Sequence, residues 1–588
     1  MREITHEWHG WMPDRFEETR KEDISCIVTI LPKIRDKQAA EAARLRWAVQ
    51  KARKQAHNSD VCAHNMLSLD LQSLPGGSIG AATSLAVGAL TLVFLCRRRA
   101  CHHHGDGNQS QTTIPQALGG SAVIGHALAY KKNPASFLLR QVHAVGSIFR
   151  INLAGRRMVV LCGGASDVEM QQVKVAMTLP ERQLSARDAV ADIGFEYTLG
   201  RANVYEGTDF HKRLIKDHLN KADATIPLLF SALRDAYRLE IDKHIDKDAQ
   251  GDDDRKLMVK DLFALVRRCT IRAVVSVFLG SSLLESSDAF LDDFMILQDD
   301  IEEATAAAAV LPKLISSLLI LRPVEKSRIR FQKDIAQRIV GAWKKPEKQQ
   351  GPWLKEFRSR GVSVDRAAEF VVGLLFAAHK NPAIGSAQSY LYLMLEGTDQ
   401  ERLEVQKESA AFLAEATSET LESKCNHLRR CCLETLRLTA HALGAVRTAR
   451  EEIPLGKCPI AMAPNNGDFN SSREVKICPG EVIAVSHIAP NLSTSLWGED
   501  AVKYNPNRKE WTNDDEYPSD YKFSTFSQGL HRCPGQKVAL YIMQINLAIL
   551  ARAYSIEFVG KVPSISFERA TLAQRDGNVC VRIGPVAS

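Results

Sequence analysis

Residues 526–535 read FSQGLHRCPG. Gly529 permits a turn that other residues resist, and Pro534 with Gly535 opens an apolar run, QKVALYIMQINLAILARAY, that predicts a helix. Cys533 therefore sits just before a helix N-terminus, where negative charge is favoured. Two roles fit such a cysteine. It can be a packed thiol in a strand-to-helix turn, or a thiolate presented to a metal, with nearby backbone N–H groups tuning its electron donation. The loop by itself leaves both open.

A second pattern lies upstream, where Glu434-Thr435-Leu436-Arg437 places a carboxylate and a guanidinium at i and i+3 on one helix face. A pair of this kind is common on solvated helices, but the two patterns together are specific. Phe526-x-x-Gly529-x-His531-x-Cys533-x-Gly535 resembles the haem-binding signature of the cytochromes P450, and Glu434-x-x-Arg437 resembles the ExxR of the K helix. His531 stands where most of that family has arginine, a variation seen in sterol 14α-demethylases. The resemblance covers about residues 113–588. It implies a mainly α fold with a small β subdomain, and haem b bound through Cys533 as thiolate axial ligand, with Phe526, Gly529 and His531 in the binding loop.

Further segments keep the family order. Tyr504-Asn505-Pro506-Asn507-Arg508 is similar to the PxR segment, which makes Arg508 the implied third partner of Glu434 and Arg437. VKICPGEVIAVSHIA, 475–489, resembles the β-rich stretch between the K helix and the haem loop. Arg447 resembles a residue that binds a haem propionate, and LGRANVYEGTDFHKRLIKDHL, 199–219, resembles the B′-to-C region of sterol demethylases, which suggests Tyr205 and Lys212 as further propionate ligands. Propionates are anions in a partly buried site, so cationic and phenolic donors suit them.

One departure bears on catalysis. In the family's I helix an acid or amide followed by threonine usually lies over the iron and relays protons. Here GLLFAAHKNPAIGSAQ, 373–388, aligns Lys380 with the acid and Asn381 with the threonine, the two candidate catalytic residues. Asparagine orders water but has no hydroxyl, and a buried lysine is costly unless paired or neutral. Pro382 removes a helix N–H and predicts a kink. Asparagine at that position also occurs in the branch containing cholesterol 7α-hydroxylase and prostacyclin synthase, one a monooxygenase and the other an isomerase.

Elsewhere the chain has ordinary globular texture, 45% hydrophobic and 25% charged over 588 residues. VGSIFRINLAGRRMVVLCG, 145–163, alternates as a β-hairpin with its turn at Ala154-Gly155, and helical periodicity predicts helices over 224–246, 256–280, 364–396, 401–416 and 421–442. The net charge of +7 is small for this length, and with neither a zinc-finger nor an aromatic RNA-binding pattern it argues against nucleic acid as a partner. Thirteen cysteines without a CxxC suggest reduced thiols facing the cytosol.

No charge falls between Asp70 and Arg97, and IGAATSLAVGALTLVFLC, 79–96, is apolar. We expect a single transmembrane anchor over 76–96, with a buried Ala/Gly-rich helix as the alternative. The Arg97-Arg98-Arg99 stop places the remainder of the chain in the cytosol. Residues 1–75 are an N-terminal extension of unknown role. Met66 could start a chain with a short polar leader, so 1–65 are expected to be an extension or a mis-assigned start. Residues 97–112 form a basic, polar linker, in which His102–His104 beside Cys101 has no second cluster at metal-ligand spacing, and 113–588 form the haem domain.

The resemblance implies a monooxygenase at the endoplasmic reticulum membrane. It inserts one oxygen atom of O2 into an apolar substrate, a sterol or other lipid, with electrons from an NADPH-dependent flavoprotein reductase or cytochrome b5. Arg532 and Lys537 flank the loop where such a donor docks. The altered Lys380-Asn381 pair keeps two alternatives open: an isomerase or dehydratase acting on a lipid peroxide without a reductase, and a catalytically silent haem-binding membrane protein.

Overall fold

The computed structural model describes residues 114–586 apart from 122–123, 155, 165–166, 242–255, 286, 310–312, 459–472, 513–520 and 569–571. The extension, anchor and linker expected over 1–112 lie outside these residues. Among the described residues no helix is long and apolar enough to cross a membrane.

In chain order the elements that build the site are β1 (Ile148–Leu153), β2 (Arg156–Leu161), β3 (Leu184–Ser185), α1 (Gly207–Leu214), α2 (Ala222–Ile241), β4 (Leu257–Val259), α3 (Leu262–Val274), α4 (Ala289–Ala309), α5 (Arg322–Trp343), α6 (Val364–Ala378), α7 (Lys380–Leu395), α8 (Asp399–Ala414) and α9 (Asn426–Thr439). They continue with β5 (Leu443–Ala449), β6 (Ile453–Cys458), β7 (Arg473–Ile477), β8 (Val482–Ser486), α10 (Gln536–Arg552), β9 (Tyr554–Phe558), β10 (Ile565–Ser566), β11 (Gln574–Arg575) and β12 (Val581–Pro585). The fold is mainly helical with a small β region.

The apolar run after Cys533 forms α10, whose Leu540, Ile542, Ile545, Leu547 and Leu550 are all buried. A helix apolar on every side needs neighbours all round. α10 accordingly packs against α2, α7, α8 and α9. Inside this bundle Tyr237 of α2 donates to Asn546 Oδ1 at 2.9 Å, and Asn546 Nδ2 donates to the Ile542 carbonyl at 2.9 Å. Gly385 of α7 lies where a Cβ would sit 2.7 Å from Met543 Cε, so its lack of a side chain sets the close approach of α7 to α10.

The expected hairpin is β1 and β2, antiparallel from Ile148↔Leu161 to Leu153↔Arg156, with Ala154 left-handed at φ +50° in the turn. It joins a five-stranded sheet of order β1-β2-β8-β5-β3. The β-rich stretch at 475–489 divides between two sheets: β8 runs parallel to β2, whereas β7 pairs with β6.

Three expected helices are corrected. The helix placed over 256–280 begins instead with strand β4, because Leu257–Val259 pairs with Val581–Ile583 of β12 at the other end of the chain, a partner no local pattern announces. Asp261 then caps α3, accepting from the Phe263 N–H at 3.2 Å. The stretch over 421–442 is α9 preceded by one wider turn, Thr420–Lys424. The stretch over 364–396 is two helices, α6 and α7, that meet at His379.

Candidate active site

The loop before α10 is closed by backbone bonds, from Cys533 N–H to the Phe526 carbonyl at 2.8 Å and from Arg532 N–H to the Gly529 carbonyl at 3.3 Å. Two residues inside it are left-handed, Ser527 at φ +56° and Gly529 at φ +63°. A Cβ on Gly529 would lie 2.8 Å from the Met177 carbonyl, so glycine is needed twice over, for conformation and for space. This geometry turns Cys533 outward. Cys269, Cys425, Cys431 and Cys432 are buried and cannot present sulfur to a ligand, whereas Cys533 is exposed. Its neighbours nevertheless crowd the sulfur: burial raises the thiol pKa, and the Gly535 N–H lowers it in part. A thiol in this state releases its proton on binding a metal.

Beside the loop lies a cationic group. Burial lowers the His531 pKa, and the charges of Arg447 and Lys212 lower it further, which places all three within electrostatic reach. His531 donates from Nε2 to the Leu179 carbonyl at 3.3 Å. Arg447 is buried, its Nη1 bonds to the adjacent Val446 carbonyl at 2.8 Å, and its Nε is buried without a partner. Burial lowers its pKa against the pull of Glu181. An orphaned guanidinium N–H within electrostatic reach of the Lys212 charge is a donor arrangement that an anionic ligand completes. With the outward sulfur of Cys533, these residues fit a haem bound through iron and carboxylates. Tyr205 stands apart from the trio: its hydroxyl donates to Glu196 at 3.1 Å, and Arg201 lies over its ring at 5.2 Å.

Glu434 and Arg437 lie on the buried face of α9, both fully enclosed. Arg437 donates from Nε and Nη2 to the two carboxylate oxygens at 2.8 and 2.7 Å, and from Nη1 to the Asn491 and Ala501 carbonyls at 2.5 and 2.6 Å. Arg508 adds its Nε to Glu434 at 3.0 Å and its Nη1 to Asp500 at 2.8 Å. The Asn505 N–H and the Trp511 indole also donate to Glu434, each at 3.0 Å. Trp511 is one that sequence inspection missed, and with Trp497 it connects the network towards the loop. It stacks edge-on against Phe523, 5.2 Å between centroids, and the Phe523 carbonyl accepts from Gln528 at 3.0 Å.

The α6–α7 junction carries Lys380 and Asn381. Pro382 has no N–H to donate to the Ala378 carbonyl four residues back, and α6 ends at Ala378. One turn earlier, the buried Nδ1 of His379 donates to the Leu375 carbonyl at 2.8 Å. Asn381 is exposed while Lys380 and Pro382 on either side are buried, and Ala377, one turn earlier, is exposed too. Lys380 points the other way, its ammonium donating to Asp299 at 2.7 Å and Glu302 at 2.5 Å on α4. Burial works against the Asp299 carboxylate, but bonds and charges from Arg267 and Lys380 hold its pKa below the usual range. The need for a partner was legible in the burial of a lysine; the i, i+3 carboxylates of α4 were the signal that could have supplied it.

Comparison with known proteins points the same way. The family model Cytochrome P450 matches residues 115–581. Cytochrome P450 monooxygenase pynD of Aspergillus niger is 23% identical over 485 residues, 79% of this chain and 90% of that protein. The lanosterol 14-alpha demethylases of Bos taurus and Mus musculus are 22% and 21% identical, over 86% and 85% of this chain and 94% of each relative.

Proposed function

This chain belongs to the cytochrome P450 family and is a haem-thiolate monooxygenase, and we propose that it oxidises a sterol or another lipid. The observation that carries the site is the outward Cys533 beside the Arg447–His531–Lys212 group with its orphaned Nε. The substrate class is supported by the similarity to lanosterol 14-alpha demethylases along most of the chain and by the resemblance of His531 to the histidine variant of the haem loop seen in sterol 14α-demethylases.

When bound, the haem supplies one-electron and dioxygen chemistry. Cys533 is the residue that would hold its iron, and the Gly535 N–H would temper the electron donation of the sulfur. Arg447 and Lys212 would neutralise the propionates, with the uncharged imidazole of His531 beside them, while the Tyr205 hydroxyl is committed to Glu196. Asn381, exposed at the α6–α7 junction, would order water through its amide. Lys380, committed to two carboxylates, shapes the junction that carries Asn381. Arg532 and Lys537, both exposed, form part of the docking face for an NADPH-dependent flavoprotein reductase or cytochrome b5. Residues 76–96 anchor the chain as a single span in the endoplasmic reticulum membrane, with the haem domain facing the cytosol.

Cys533→Ser tests the site: the shifted Soret band of the reduced carbonyl complex is lost, and its retention identifies another ligand. A substrate-binding spectral screen of sterols and fatty acids tests the class. A second use of the fold, rearrangement of a lipid peroxide without reductase, is favoured by one observation, that neither Lys380 nor Asn381 offers the usual acid and hydroxyl. Turnover of a hydroperoxide with no NADPH consumed would overturn the monooxygenase assignment. Substrate-dependent product formation would exclude a silent haem carrier.

A further inference from the structure

The junction between α6 and α7 leaves carbonyls that an unbroken helix would use. The Leu375 carbonyl is taken by the side chain of His379. The Phe376 carbonyl, whose helical partner is the N–H of Lys380, accepts from Gln298 Nε2 of α4 at 3.2 Å. Gln298 is 1% exposed, and the same nitrogen donates to Glu302 Oε1 at 3.3 Å. Both partners are acceptors, so the amide nitrogen must face them. Its Oε1 is then buried without a partner, and the bonds gained are offset by an acceptor left dry.

The same turn of α4 supplies Asp299 and Glu302 to Lys380, and both Asp299 oxygens also accept from Arg267 Nη1, at 3.0 and 2.9 Å, reaching across from α3. One side of α4 therefore grips both edges of the break, a carbonyl before it and an ammonium just after it. Asn381 comes directly after the gripped residue.

We propose that Gln298 is a positioning residue for the distal site: its amide on the Phe376 carbonyl, together with the Lys380–Glu302 ion pair, holds the α6–α7 break in the form that presents Asn381. This rests on the monooxygenase assignment for its catalytic consequence, but the structural half stands without it.

Gln298→Met keeps length and volume and removes the donor. In the full haem-loaded chain, amide hydrogen exchange over 376–383 should accelerate roughly fivefold to tenfold, with α10 unchanged. The dissociation constant for a binding sterol or fatty acid should stay within about twofold, while product formed per NADPH falls roughly threefold or more. Glu302→Gln, a milder change at a half-buried position, should move both readouts in the same direction by less. Unaltered exchange over 376–383 in both variants overturns the proposal. So does exchange that rises equally throughout the chain, which signals general destabilisation. If no lipid supports NADPH use even in the unmodified protein, the substrate assignment fails, while the exchange result still decides the role of Gln298.

Discussion

Replacing Glu434 by glutamine changes one oxygen to nitrogen at a fully buried charge. Oε1 accepts from Arg437 Nη2, Arg508 Nε and the Asn505 N–H, and Oε2 from Arg437 Nε and the Trp511 indole. The amide does least harm with its oxygen at the Oε1 side. Its NH2 then confronts two donors, and two buried guanidiniums lose the anion they share. Breaking a buried pair on one side costs about 3–5 kcal/mol, and each buried donor left unpaired about 1–3 kcal/mol. These overlap, since one of the donors belongs to the broken pair, so we take about 4 kcal/mol as the expected loss. Against a total stability of roughly 5–15 kcal/mol this is a large fraction.

The loss should be felt at Cys533, because Trp511 and Phe523 connect the network to the loop. Urea titration of the haem-loaded chain, followed by Soret absorbance and far-UV circular dichroism, should show both transitions at lower denaturant than in the parent, with less haem retained on purification. A midpoint indistinguishable from the parent, at full haem occupancy, would refute the idea that the buried carboxylate charge holds this region together.

Gly529→Ala imposes a side chain at φ +63° against the Met177 carbonyl, and about 1–2 kcal/mol of strain is expected, read as earlier thermal loss of the Soret band; an unchanged transition removes the steric argument. The buried imidazole of His379 is held neutral, with burial pushing its pKa down from 6.5 to about 3, and His211 and His487 are pushed to about 4 for the same reason. Between those values and 6.5 the unfolded chain binds protons that the fold does not, so stability falls as pH drops through this window, by at most about 1.4 kcal/mol per pH unit for each histidine. His379→Gln, which keeps a side-chain donor for the Leu375 carbonyl, should flatten the fall between about pH 7 and pH 5 by one histidine's share, and equal slopes in the two proteins would contradict it.

The residues that were legible in the amino-acid string share one property: their geometry is set within a few positions. Glu434 and Arg437 pair because three residues of helix bring them to one face, Cys533 turns outward because Gly529 and Pro534 shape the loop around it, and β1 and β2 meet because two residues turn the chain. Pro382 likewise announced a kink, and α6 stops four residues before it. Even a motif departure was informative, since a buried lysine required a partner before any was known.

Tertiary structure decided what depends on contacts between distant segments. Lys380 found its carboxylates 81 and 78 residues earlier on α4, Glu434 gathered donors from 71, 74 and 77 residues later, and Leu257 became strand instead of helix because β12 offered hydrogen bonds that local propensity could not weigh. The Tyr205 hydroxyl went to Glu196, and the Phe376 carbonyl beside the kink went to Gln298. Periodicity and spacing specify which groups need partners, because desolvation penalties act on every buried charge and N–H wherever they lie. Which partner arrives is settled only when the elements pack.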